Sequence, residues 1–158
     1  MSAKWFEDYP LSFMRRARSQ LNAAELHLES YQYSECISCC IEAMELFLKS
    51  IFLLIKRDYP PKHAYEWKES EIIEVLKKIP IEVEDMITPN IANFPRMFLL
   101  ASFWAKFYTI SKYGQKEFNV GADRLFKSLD AELALKHTKE FDFGIVMLTN
   151  YLERNPLS

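Results

Sequence analysis

Arg57 and His63 are the two residues whose types and spacing come nearest to a catalytic pair. Five residues separate them in a proline-rich segment. A guanidinium can hold a phosphate while an imidazole moves a proton at a ribose 2′-hydroxyl, which is the chemistry of a metal-independent ribonuclease. The alternative is that both side chains lie on an exposed loop and share no role.

A second group of candidate residues lies where the predicted fourth helix ends. Lys112, Tyr113, Lys116 and Arg124 combine cationic groups with an aromatic ring, so they could take a phosphate and stack a base. The region 96–127 holds six basic and two acidic residues, whereas 64–95 holds three basic and seven acidic ones, so an anion is expected at the later region. A solvated charged surface would have the same composition, because lysines at a helix C-terminus complement its dipole.

Cysteine and histidine do not form a recognisable metal site. Cys36, Cys39 and Cys40 fall within five residues of one helical pattern, and a closed zinc site needs four donors. We interpret them as buried, inert thiols in a chain from a reducing cytoplasm, because their layout does not suit a disulfide framework. His137 lies on an apolar stripe and is predicted to be a hydrogen-bonded core or interface histidine.

No cofactor is expected from the motifs. Three glycines in the whole chain cannot build a phosphate loop or a dinucleotide-binding turn, and neither G-x-S-x-G nor H-E-x-x-H occurs. The net charge of −2 gives no overall signal for nucleic acid or for an anionic membrane. Residues 1–10 lack the pattern of a secretion signal, and the apolar stretch 37–55 is interrupted by three charged residues, so no membrane span is expected.

The elements that must position these residues are helices. The chain has 158 residues, of which 49% are hydrophobic and only three are glycine, which predicts one all-α domain over 1–158 with its core at about 11–152. Apolar residues recur every three or four positions and predict an antiparallel bundle of about five helices. The predicted helices cover about 11–28, 37–56, 70–79, 95–113 and 128–153, with a short helical segment at 81–88 and an ordered loop at 115–127.

Particular residues are predicted to delimit these helices. Pro10 suits the first turn of the first helix, where a missing backbone donor is harmless. Ser70 and Asn93 are candidate N-caps for the third and fourth helices. Gly114 can close the fourth helix in a left-handed conformation.

Three segments in this order resemble the HEPN domain family of small helical bundles. The second helix carries Glu45 and the pair Leu48-Lys49, and the loop after it reads Pro60-Pro61-Lys62-His63. The segment Tyr-Thr-Ile-Ser-Lys-Tyr-Gly, residues 108–114, is similar to a family segment ending in Arg-Tyr-Pro or Arg-Tyr-Gly, with Lys112 in the place of the arginine. The resemblance covers about residues 11–152.

The resemblance implies a homodimer with a cleft near its axis and two broad roles. Some family members are ribonucleases, often toxins, that use an Arg and a His four to six residues apart. Others bind nucleotides or partner a small nucleotidyltransferase. Here Arg57 and His63 have that spacing but lie in the earlier loop, and neither Arg96 nor Lys112 has a His at that spacing.

The first hypothesis is therefore a noncatalytic nucleotide-binding or partner-binding module, accessory to a nucleotidyltransferase in a toxin–antitoxin-like pair. Its ligand site is predicted at Lys112, Tyr113, Lys116 and Arg124. The second hypothesis is an endoribonuclease that uses Arg57 and His63. An adaptor that binds protein through an aromatic face is a third.

Overall fold

Eight α-helices form the structure, which is a computed structural model and describes residues 2–55, 58–86 and 93–156. They are α1 Ser2–Glu29, α2 Tyr33–Leu54, α3 Glu69–Leu76, α4 Ile81–Met86, α5 Phe94–Ala105, α6 Tyr108–Tyr113, α7 Ala122–Leu125 and α8 Ser128–Arg154. Short 3-10 turns occupy Ala64–Glu66 and Lys116–Phe118. The described residues contain no strand beyond one isolated bridge between Gln115 and Val120. The all-α bundle predicted from sequence is confirmed, and five of the described helices have at least eight residues.

Helix α2 lies at the centre of the bundle. It packs on α1, α8, α5 and α6, and 13 of its 22 residues are buried. Phe47, Leu48 and Ile51 have no solvent exposure, and each such side chain contributes roughly 1.5–3 kcal/mol through burial. The polar residues of α2 that remain are confined to a narrow strip of its surface, which is where the candidate site lies.

Aromatic rings attach the proline-rich loop and α5 to α2. The ring of Phe52 makes edge-to-face contacts with Trp67 at 5.1 Å and with Phe98 at 6.0 Å. The Trp67 indole N–H donates to the carbonyl of Lys62 at 3.2 Å. This packing returns the chain from the proline-rich loop to the surface of α2.

Two predicted helix starts were wrong. Helix α1 begins at Ser2, so Pro10 lies inside it, where one backbone hydrogen bond is missing, and not in its first turn. Helix α3 begins at Glu69 and not after Ser70, because the backbone N–H of Lys68 is already satisfied by the Glu71 carboxylate at 2.9 Å. At α5 the prediction is confirmed, since the Asn93 side chain accepts from the backbone N–H of Arg96 at 2.8 Å.

The predicted fourth helix is divided into α5 and α6. Phe107, at φ −94° and ψ 3°, interrupts it, and its ring contacts Phe103, Trp104 and Phe126. Both α5 and α6 pack on α2. Gly114 ends α6 with a φ of 75°, the positive value that was predicted, although its ψ of −163° is extended and not left-handed helical.

Candidate functional site

A small polar cleft lies where α2, the proline-rich loop and α6 meet. Its volume is about 40 Å³, and the residues that line it are Ile41, Glu42, Glu45, His63, Ala105 and Tyr108. A cavity of this size has room for a few water molecules or for one end of a ligand. Two carboxylates, an imidazole and a phenol in an otherwise apolar surface make this the most chemically functional part of the described structure.

Glu45 joins the loop to α2. Its Oε1 accepts the backbone N–H of Ala64 at 2.7 Å, and its Oε2 accepts from Lys49 Nζ at 3.2 Å. The His63 Nδ1 lies 3.3 Å from the same Oε2. Side chains of Glu45 and Lys49 are only 20% and 18% exposed, whereas His63 is 57% exposed. The carboxylate therefore holds the loop in place and orients the imidazole at the entrance of the cleft.

Two other lining residues, Glu42 and Tyr108, form a hydrogen-bonded network with Lys112 at the rim of the cleft. The Tyr108 hydroxyl donates to Glu42 Oε1 at 3.0 Å and accepts from Lys112 Nζ at 2.5 Å. Lys112 Nζ also lies 3.4 Å from Glu42 Oε1 and 4.3 Å from the centre of the Tyr108 ring. The hydrogen bond to Tyr108, together with the nearby Glu42, raises the pKa of Lys112, so its ammonium stays charged at neutral pH.

A serine pair fixes α6 against α2. The hydroxyls of Ser38 and Ser111 are 2.7 Å apart, and Ser111 also donates to the carbonyl of Tyr108 at 2.8 Å. Ser111 is buried, so these hydrogen bonds are shielded from solvent. They set the position along α6 at which Tyr108 and Lys112, one helical turn apart, face α2.

The four residues of the predicted anion site lie on α6 and on the segment 115–127 that follows it, which we call the crossover. Lys112 contacts the lining residues Glu42 and Tyr108, and Tyr113 beside it is 78% exposed. Lys116 is in the 3-10 turn and Arg124 is in α7, and both are exposed. Helix α7 packs on α6, and no ion pair joins Lys116 or Arg124 to another residue that the structure describes.

The crossover 115–127, predicted to be a loop, contains the 3-10 turn Lys116–Phe118 and the four-residue helix α7, so it is more regular than the sequence indicated. Gln115 and Val120 exchange two backbone hydrogen bonds, at 2.8 and 3.2 Å. A Cβ on Gly114 would lie 2.3 Å from the Val120 carbonyl oxygen. The close approach of the backbone at Gly114 to the backbone at Val120 therefore depends on glycine. The exposed cations are thus presented on a defined backbone.

Of the predicted catalytic pair, only His63 can be placed, because Arg57 lies outside the described residues. His63 does face functional groups, since its ring centre is 6.3 Å from that of Tyr108 and its Nδ1 faces Glu45. Sequence reasoning did not select Glu42 or Tyr108 as site residues. The sequence could have indicated them, because Glu42 and Glu45 lie three residues apart in an apolar helix and Tyr108 and Lys112 lie four residues apart, so each pair shares a helix face.

The remaining histidine and cysteine predictions agree with the structure in most respects. His137 accepts a hydrogen bond from the Trp104 indole N–H at 3.0 Å, and burial lowers its pKa. Cys36 and Cys40 are buried, while Cys39 is half-buried, and burial raises the pKa of the Cys39 thiol to about 11. No three His, Cys, Asp or Glu side chains in the described ranges could hold a metal ion together. Nor is any described helix long and apolar enough to span a bilayer.

Comparison with known proteins identifies the family. The model of the HEPN domain matches residues 11–142, and the chain therefore belongs to the HEPN domain family. No match was found among curated proteins or among solved structures. The three segments that resemble the family in sequence, around Glu45, His63 and the stretch 108–114, converge on the cleft.

Proposed function

We propose that this HEPN domain is a noncatalytic module that binds a nucleotide or a partner. One observation carries the proposal: Lys112 lies at the junction of the cleft and the exposed basic crossover. A ligand that contacts Lys112 can reach both surfaces. Nucleotides suit such a junction, since they combine a phosphate with an aromatic base.

The absence of catalysis is inferred from the charges of the cleft. His63 faces the Glu45 carboxylate, and Lys112 is already paired with Glu42. Among the described residues that line the cleft there is no guanidinium to clamp a phosphate. A phosphodiester placed deep in the cleft would meet two carboxylates, which disfavours a negatively charged transition state there.

The proposed anion site is therefore at the rim and beyond it. Lys112 would contact the phosphate first, and Lys116 and Arg124 would add charge from the crossover. The exposed ring of Tyr113 would stack on the base.

Calorimetry with ATP, GTP and a short single-stranded RNA tests this site. We expect the double variant Lys112→Ala, Arg124→Ala to lower affinity for the ligand that binds by at least tenfold, because two charge-assisted contacts are lost. Lys78→Ala, an exposed cation at the end of α3, is the matched control and should bind as the wild type does. Equal affinities in all three proteins would remove the proposed site.

An endoribonuclease is the second candidate function, with Arg57 as phosphate clamp and His63 as general base. The contact of His63 Nδ1 with Glu45 favours it, because a carboxylate that orients an imidazole is a common feature of general bases. Incubation with single-stranded RNA in EDTA tests it. Cleavage abolished by His63→Ala would support this function, whereas cleavage that survives the substitution would exclude the assignment.

We also propose a cytoplasmic homodimer that partners a small nucleotidyltransferase. Exposed apolar residues on α5 and at the start of α8 support a protein contact, since Leu99, Phe103, Leu129 and Leu133 are 45–74% exposed. Light scattering across micromolar concentrations should show a dimer. A monomer at all concentrations would contradict it, and co-purification would test the partner.

A further inference from the structure

We propose that Glu42 tunes the charge selectivity of the Lys112 site, because its carboxylate lowers the affinity for a doubly charged terminal phosphate more than the affinity for a singly charged phosphodiester. This inference rests on the proposed function, because it requires Lys112 to contact the phosphate. It goes further by stating what Glu42 does in that site, which is to lower the advantage of the terminal phosphate of a mononucleotide over an internal phosphate of a nucleotide chain.

The distances place a fixed negative charge beside any anion on Lys112. Glu42 Oε1 lies 3.4 Å from Lys112 Nζ. A phosphate oxygen in a charge-assisted hydrogen bond lies about 2.8 Å from its donor nitrogen. The bound oxygen can therefore be no farther than about 6 Å from the Glu42 carboxylate.

Glu42 is well placed to stay there when a ligand binds. Its carboxylate also accepts from the Tyr108 hydroxyl, which is itself hydrogen-bonded to Lys112, so the three groups hold one another. Two donors of the Lys112 ammonium face Tyr108 and Glu42, which leaves the third for a ligand. An anion can thus bind without displacing the carboxylate, but it is repelled by it.

The repulsion is large enough to measure. Two unit charges about 6 Å apart alter affinity by roughly threefold in bulk water, and by more at the lower effective dielectric constant near a protein surface. Salt screens this repulsion only in part, because the separation is shorter than the Debye length of about 8 Å at physiological ionic strength, so low salt gives the largest effect. A doubly charged phosphate is repelled about twice as strongly as a singly charged one. Glu42 therefore lowers the affinity for the dianion relative to the monoanion by about the factor that applies to one pair of unit charges.

A pair of ligands that differ by one charge tests the inference. AMP carries a dianionic phosphate at pH 8, and its 5′-methyl ester carries one charge on otherwise the same molecule. Calorimetry at pH 8 would give both affinities for the wild type and for Glu42→Gln, which keeps the shape of the side chain. At low ionic strength we expect the substitution to shift the ratio of AMP affinity to ester affinity at least about threefold toward AMP.

Glu132→Gln is the control, because it removes the charge of an exposed glutamate in α8 that belongs neither to the cleft nor to the Lys112 network. Its affinity ratio should stay within about twofold of the wild-type value. Glu42→Met removes the charge by a second route and should reproduce the shift, which covers the case in which the glutamine variant does not fold. An unchanged ratio in a folded Glu42 variant would overturn the inference while nucleotide binding stands. Failure of both ligands to bind the wild-type protein would overturn the proposed function as well.

Discussion

Replacement of Glu45 by alanine tests whether one carboxylate holds the proline-rich loop on α2. The substitution removes the acceptor of the Ala64 backbone N–H and the partner of Lys49. Ala64 is only 4% exposed, so water reaches its N–H poorly. An N–H that loses a charged acceptor costs about 1–3 kcal/mol, and a largely shielded ion pair adds up to about 1 kcal/mol.

The expected loss of unfolding free energy is therefore about 1–4 kcal/mol for Glu45→Ala. In a chain of 158 residues this corresponds to a melting temperature lower by roughly 3–12 °C. Glu45→Gln keeps one carbonyl oxygen for the Ala64 N–H, so its loss should be only about 1–2 kcal/mol. Urea denaturation followed by circular dichroism would measure both.

Glu132→Ala is the matched control, because Glu132 is an exposed glutamate within α8 and should change stability by less than about 0.5 kcal/mol. If Glu45→Ala lay within that range of the control, the carboxylate would not hold the loop. Equal effects of alanine and glutamine would show that the Ala64 hydrogen bond contributes little. Either result would refute the role assigned here to Glu45.

Three further outcomes are expected. Because burial lowers the pKa of His137, the unfolded chain binds more protons near pH 6, so stability should fall as pH drops from 7.5 to 5; a slope that His137→Gln leaves unchanged would contradict this. Gly114→Ala should lower the free energy of unfolding by about 1–3 kcal/mol or more, because the alanine would have a positive φ and its Cβ would clash with a backbone oxygen. Gly121→Ala should lower it much less, because its Cβ would meet only the Asp123 side chain. Equal losses in urea denaturation would refute the reasoning. The native Cys39 thiol, with a pKa raised to about 11, should react with iodoacetamide at pH 8 far more slowly than in urea, and equal rates would show that it is not shielded.

Much of the fold could be predicted because helical periodicity is a local property. The stripes on α1, α2 and α8 required only the spacing of apolar residues, and Asn93 required only the preference of a helix start for a short polar side chain. The predicted start of α3 was wrong because a residue inside the helix supplies a hydrogen-bond acceptor that the prediction did not consider. Glu71, for example, satisfies Lys68 and moves the start of α3 away from Ser70.

The site was predictable only in part. Lys112 and His63 were selected from sequence, and the resemblance to the HEPN family pointed to Glu45 and to the segment that begins at Tyr108. Their meeting in one cleft was not predictable, since the three segments are separated along the chain. It depends on the packing of α6 and of the proline-rich loop on α2, through the Ser38–Ser111 hydrogen bond and the contact of Glu45 with Ala64.

By itself the sequence determined which segments become helices, where basic residues concentrate and which family the chain resembles, because each of these is set by neighbouring residues. Only the tertiary structure decided that Lys112 is shared with Glu42 and Tyr108 and that Glu45 holds His63. The reason is physical. Hydrogen bonds and charge pairs act over a few ångströms, so their partners are selected by how helices pack and not by how far apart the residues lie in the chain.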